Sequence, residues 1–104
     1  MSTPQTEQGT EAALRLRLYV AGDAPNSTTA AANLRSAVAQ VSTHRVDLEI
    51  IDVLIDPKRA LRDRILMTPM LVRLEPAPER RVLGNLSNRA ALLDLLALDG
   101  SKHG

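Results

Sequence analysis

The 104-residue chain contains no cysteine, no tryptophan and no phenylalanine, and Tyr19 is its single aromatic residue. Without cysteine there is no disulfide, no thiolate metal site and no thiol nucleophile, which excludes thiol redox chemistry and fits a reducing, cytoplasmic setting. One tyrosine is a poor platform for single-stranded nucleic acid, whose bases stack on several aromatic rings. An excess of one charge is also missing. Thirteen basic and twelve acidic residues leave a formal net charge of +1, too little for a broad field towards phosphates or anionic lipid. The most apolar stretch near the end, Ala90 to Leu98, is interrupted by Asp94 and is far shorter than the roughly 20 residues of a membrane span. Met1 to Ala12 is polar and has no lysine or arginine ahead of an apolar segment, so it lacks the layout of a secretory signal. Neither nucleic acid nor membrane is an expected partner.

What is present is aliphatic. Leu, Val, Ile and Ala must build the core, with Met as filler, and a chain of this length can bury roughly 60–65% of its unfolded surface around one such core. The expected organisation is one folded domain over 13–99, flanked by an unpacked tail at 1–12 and another at 100–104. From Leu14 the pattern alternates: Leu14, Leu16, Leu18 and Val20 share one face, and Arg15, Arg17 and Tyr19 the other, which predicts a strand. A turn at 21–25 leads to a helix reaching about Ser42, with Asn26 or Ser27 as its cap and Ala30, Leu34, Ala37, Val38 and Val41 as its apolar stripe. Val46, Leu48 and Ile50 alternate with Asp47 and Glu49 in a second strand, whose acidic face would sit beside Arg15 and Arg17 if the two strands are neighbours.

Asp56-Pro57 starts a short second helix through about Ile65, since Asp suits the cap and Pro the first helical position. Met70 to Glu75 and Arg80 to Gly84 follow as two strands. The Pro76-Ala77-Pro78 link is too short for a parallel crossover, so this pair is expected to be antiparallel. Ser87 or Asn88 then caps a last helix from Arg89 to about Leu98. The order βαβαββα is that of a thioredoxin-like α/β domain.

In such a domain the reactive site lies at the start of the first helix, where the helix dipole stabilises a thiolate. Here that place holds Ala24-Pro25-Asn26-Ser27, and Ser27 has no evident base. His44, expected in a loop, and His103, in the tail, show no metal-ligand spacing. Asp52, Asp56 and Asp63 could be imagined around magnesium, but Asp56 reads better as a cap and Asp63 as helix surface. No phosphate-binding glycine motif occurs. No cofactor, metal or catalytic residue is therefore expected. Thr68-Pro69-Met70 is more informative, because a proline opening the third strand of this fold is often cis and exposes the next residue's backbone to a peptide. A helix start such as Ser87-Asn88 would suit the carboxylate of glutathione. Arg73, Arg80 and Arg81 fall on the hairpin and could form a basic patch for an acidic partner.

Several segments together resemble the KaiB family of circadian clock proteins: Leu18-Tyr19-Val20-Ala21-Gly22, Pro25-Asn26-Ser27, Ile51-Asp52-Val53-Leu54, Asp63-Arg64-Ile65-Leu66, Thr68-Pro69, Pro76-Ala77-Pro78, Arg80-Arg81 and Gly84-Asn85-Leu86-Ser87-Asn88-Arg89. They run in order from about Leu14 to Leu96. The resemblance implies a non-enzymatic regulator that binds the N-terminal ATPase ring of KaiC and helps sequester KaiA. It also implies a choice between a tetrameric ground-state fold and a monomeric thioredoxin-like fold, with Thr68, Pro69, Gly84, Asn85, Leu95 and Ala97 at the turns and in the segment that would rearrange. Where clock members carry Gly-Leu-Asp, this chain has Leu95-Leu96-Ala97, exchanges that raise helix propensity by about 0.5–1 kcal/mol per site and favour the thioredoxin-like form.

The residues expected to touch the ATPase are Asp56, Pro57 and Lys58 at the second helix and Arg73 and Arg80 on the hairpin, all expected to be exposed. The edge strand Val46 to Asp52 is a second candidate surface. Two other readings stay open: a glutathione- or peptide-binding domain, and a stand-alone sensor similar to the input domain of the kinase SasA. Homo-oligomers, dimer or tetramer, are compatible with all three.

Overall fold

The computed structural model describes residues 14–41 and 45–97. It contains β1 (Leu14–Val20), α1 (Pro25–Gln40), β2 (Val46–Asp52), α2 (Pro57–Arg62), β3 (Met70–Glu75), β4 (Arg80–Leu83) and α3 (Arg89–Leu96). The sheet order is β2-β1-β3-β4. β1 and β2 are parallel because α1 carries the chain back between them, whereas β3 runs antiparallel to both β1 and β4. This is the α/β arrangement that the sequence pattern predicts.

The helix boundaries refine the expectations. Neither Asn26 nor Ser27 caps α1; Ala24 holds that position and offers no side chain. Pro25 is the reason, since its fixed φ and missing N–H start the helix before those residues. Ser27 is buried within the first turn, and its Oγ accepts a hydrogen bond from the Ala21 N–H at 3.1 Å. The expected caps of the other two helices are present, with Asp56 accepting from the Arg59 N–H and Asn88 from the Ala91 N–H.

α2 stops at Arg62, short of the expected Ile65, because Arg64 adopts a left-handed conformation with φ of 60°. The Ile65 N–H bonds back to the Ala60 carbonyl and the Arg64 N–H to that of Leu61. This is the helix-ending pattern in which glycine usually occupies the left-handed site. The Thr68–Pro69 peptide is cis, in line with the sequence expectation.

One face of the sheet carries an aliphatic core. Leu14, Leu16, Leu18 and Val20 point the same way because side chains alternate along a strand, and they pack with Ala30, Leu34 and Ala37 of α1 and Leu92, Leu95 and Leu96 of α3. At about 1.5–3 kcal/mol for each fully buried leucine, this cluster is the main source of stability. The opposite face holds a smaller cluster of Tyr19, Ile51 and Val72 under Ala60 and Ile65. α2 spans only six residues. Beside it, Arg15 pairs with Asp47 and Arg17 with Glu49 across the parallel strands, the arrangement expected from their alternation.

Candidate functional site

The segment from Asp52 to Met67 joins the sheet through a polar network and carries an exposed apolar surface. Its start is fixed by Asp52, whose Oδ1 accepts from the Gly22 N–H at 3.0 Å and the Leu54 N–H at 2.9 Å, tying the loop after β1 to the loop after β2. Gly22 has φ of 55°, the left-handed conformation that glycine adopts at least cost, and a Cβ there would approach the exposed Leu54 side chain to 3.3 Å, a tight contact that Leu54 can relieve by moving. Asp63 anchors the end of the segment. Its carboxylate accepts from the Tyr19 hydroxyl at 2.5 Å and lies 3.6 Å from Arg17. Arg59 binds both carboxylate oxygens of Glu49 at 2.7 Å, a fork-to-fork geometry stronger than a single contact. Arg81 reaches over from β4 and donates to the Asp63 and Arg64 carbonyls at 2.9 and 3.1 Å.

These contacts shift the protonation equilibria in consistent directions. The Tyr19 hydrogen bond, aided by Arg62 and Arg17, holds the Asp63 carboxyl below its ordinary value. Burial, then the bond to Asp63, pushes the Tyr19 hydroxyl up. The Arg59 guanidinium likewise lowers Glu49. Asp63 is therefore a half-buried anchor rather than plain helix surface. Asp52, Asp56 and Asp63 are each engaged in separate hydrogen bonds, and among the described residues no three His, Cys, Asp or Glu side chains gather as metal ligands.

Around this anchor, Leu54, Ile55, Leu61, Leu66 and Met67 are exposed, Leu66 by 91%. Asp56, Pro57 and Lys58 stand exposed among them, as expected from the sequence. Arg80 is also exposed, on β4, where it faces Asp94 at 4.0 Å.

Arg73 corrects the sequence reading. It is only 6% exposed, because it lies two residues after Leu71 on the core-facing side of β3. Its Nη1 donates to the Leu95 carbonyl and its Nη2 to that of Pro78, both at 3.0 Å. Burial, then the neighbouring Arg80, lowers its pKa. Arg73 therefore ties the last turn of α3 to the β3–β4 link. The expected hairpin patch does not form: Arg80 is paired with Arg73 across the ladder, and Arg81 with Val72 on the opposite face. The parity with Leu71 was the available signal.

Comparison with known proteins decides the family. The KaiB domain matches residues 17–98, and the circadian clock oscillator proteins KaiB of Thermostichus vulcanus and Thermosynechococcus vestitus are each 44% identical over 78 residues, 75% of this chain and 72% of theirs. This chain belongs to the KaiB family. Its members are non-catalytic clock proteins. The N-terminal domain of Synechococcus elongatus SasA superposes with a TM-score of 0.68 at 25% identity, covering 83% of this chain and 81% of that one. Chloroplastic thioredoxin z gives 0.70 at 21% identity, covering 92% and 88% respectively, a likeness of fold alone. The thioredoxin-like fold is thus the one adopted by this KaiB family chain.

The remaining sequence-derived positions are distributed through the fold. Thr68 and Pro69 precede β3. Gly84, with φ of 113°, and Asn85 form the turn before α3, and the Asn85 carbonyl accepts from Asn33 of α1 at 2.9 Å. Leu95 is fully buried, and Ala97 ends α3 in an extended conformation. Met70 is paired with Tyr19 on one side and Leu83 on the other, and the Pro69 carbonyl accepts from the Gly84 N–H at 2.9 Å. The sheet therefore already uses much of the backbone that the peptide-clamp reading requires. β2 is an edge strand, as expected. His44, His103 and the expected tails at 1–12 and 100–104 lie outside the described residues. No helix among the described residues is long and apolar enough to cross a membrane.

Proposed function

We propose that this KaiB family protein is a binding regulator of a KaiC-type ATPase and docks through the surface built on α2. The observation that carries this reading is the exposure of Leu54, Ile55, Leu61, Leu66 and Met67 on one short segment. Clustered exposed aliphatics of this kind mark an interaction surface. Asp56 and Lys58 supply its polar part beside Pro57, and Arg81 links the surface to β4 through the Asp63 and Arg64 carbonyls, while Arg80 lies on the other face against Asp94. Arg73 contributes by holding α3 and the hairpin together. The edge strand β2, with Ile50 partly exposed, is a second surface suited to strand addition by a further partner such as KaiA.

The thioredoxin-like form is the binding-competent one in this reading, and Leu95, inside α3, favours it over a tetrameric ground-state fold through its helix propensity, whereas Ala97 lies past the helix end and adds nothing by that route. The protein acts in the cytoplasm, where its partner resides. Co-purification of the full chain with a KaiC-type ATPase in each nucleotide state tests the proposal: a stable complex in at least one state is expected, and absence of complex in all of them overturns it. An NMR structure of the free protein is expected to show helix at 89–96; strand there would refute the preference for this fold. The likeness to the SasA N-terminal domain supports a second reading, a stand-alone sensor module that shares the same ATPase surface and signals to a kinase in trans.

A further inference from the structure

Beside the C-terminal end of α2 lies an open concavity of about 240 Å³, lined by Arg17, Arg62, Arg64 and Arg81 with Tyr19 at its floor and Asp63 and Glu79 on its wall. Four guanidinium groups against two carboxylates leave a local excess of positive charge that the whole chain, at +1, does not have. The existing counterions are committed. Asp63 is held by the Tyr19 hydroxyl, and Glu79 is paired with the Arg81 Nε at 3.0 Å. Arg62 is two-thirds exposed, and among the described residues no carboxylate lies within ion-pair distance of Arg64.

Arg64 also occupies the left-handed position where glycine would close the helix at less cost. Two residues further on, Leu66 stands almost fully exposed, with Met67 beside it and Leu61 one turn back. Positive charge and apolar surface are therefore adjacent on the same segment.

We infer that this concavity receives a carboxylate side chain from an acidic segment of a partner protein, whose neighbouring aliphatic residues cover Leu61 and Leu66. The inference rests on the docking surface proposed above and specifies the chemistry of what docks there. Arg64 is the donor without a carboxylate partner among the described residues, and Arg62, whose Nε lies 3.3 Å from Asp63, keeps its two exposed terminal nitrogens for the same carboxylate. Arg17 and Arg81 hold the walls and raise the local potential. Anionic lipid is the competing source of negative charge, but a concave site two arginines wide suits a single projecting carboxylate better than a planar surface of headgroups.

The test uses the full chain and NMR titration with a short synthetic peptide carrying two glutamates and two leucines, alongside the peptide with both glutamates replaced by glutamine. The glutamate peptide is expected to shift the Arg62, Arg64, Arg81 and Leu66 signals and to bind at least tenfold more tightly than its control. That preference should shrink as salt is added. R62Q/R64Q is expected to abolish it, and R64G, which keeps the turn, to weaken it severalfold. Equal binding of both peptides, or binding of neither at millimolar concentration, overturns the inference. Arginine-dependent binding to phosphatidylserine vesicles without a preference for the glutamate peptide overturns it in favour of a membrane. A glutamate preference without any complex with a KaiC-type ATPase leaves the acidic chemistry standing and removes the proposed partner; the reverse result removes only the acidic chemistry.

Discussion

The two faces of the sheet are built by different physics. Beneath α1 and α3, β1 presents Leu14, Leu16, Leu18 and Val20 to a dry aliphatic cluster, and stability follows from area removed from water. Beneath α2, the same strand presents Arg15, Arg17 and Tyr19, and ion pairs and hydrogen bonds to Asp47, Glu49 and Asp63 surround a smaller apolar cluster of Tyr19, Ile51, Ala60, Ile65 and Val72. Exposed pairs of that kind contribute little each. The first face holds the fold, and the second holds α2 in place while Leu54, Ile55, Leu61, Leu66 and Met67 stay exposed.

Mutations should separate the faces by magnitude. L95A opens the aliphatic core and should cost about 2–5 kcal/mol in denaturant unfolding, with no selective change at α2. A loss below 1 kcal/mol would contradict the assignment of that face as the main source of stability. R73M should follow at about 1–3 kcal/mol, because the Leu95 carbonyl loses its donor in a buried site and the Pro78 carbonyl loses its donor in a part-buried one. An unchanged unfolding midpoint would show that the α3 tie is dispensable.

On the α2 face, Y19F should cost about 1.5 kcal/mol, the lower end for a hydrogen bond to a charged group, and should act chiefly on the segment 57–67 in hydrogen exchange. It should also alter the acid limb of stability. Asp63 has a folded pKa below its ordinary 3.8, so its contribution is present above that value and is lost as pH falls through the depressed one. Removing the Tyr19 hydroxyl removes the largest cause of that depression, so Y19F should flatten the pH dependence there. An identical acid profile would break the proposed link. At the other extreme, the raised Tyr19 pKa predicts that the single phenol stays protonated above pH 10.0 while the protein is folded, which ultraviolet absorbance can follow. Stability from this group is present below pH 10.0 and lost as pH rises through the folded value. R64G should give the smallest effect, a stabilisation of up to about 1 kcal/mol from relief of the left-handed strain. A destabilisation would mean that the Arg64 side chain supports the fold rather than serving the surface.

The period-two alternation of β1 was legible in the sequence, as were the charge pairing with β2, the antiparallel hairpin and the caps Asp56 and Asn88, because each depends on residues close together or on one strand's parity. Asn26 and Ser27 were misread as caps because Pro25 competes for the start of α1. Arg73 was misread as exposed because arginine is usually exposed; only the carbonyls brought to it by α3 and Pro78 make its burial tolerable. Asp63 was read as surface because its partners Tyr19 and Arg17 lie more than forty residues away.

The sequence by itself determined the element order, the family and the absence of a thiol at Ala24 to Ser27, since these follow from local patterning, motif residues and the lack of cysteine. Only the tertiary structure decided which arginine is buried, which aspartate anchors α2, and that the leucines at 54, 61 and 66 remain uncovered. The physical reason is that burial and pairing are properties of elements meeting in space. Parity along β3 turns Arg73 towards the core, and a helix of six residues is too short to cover the opposite face.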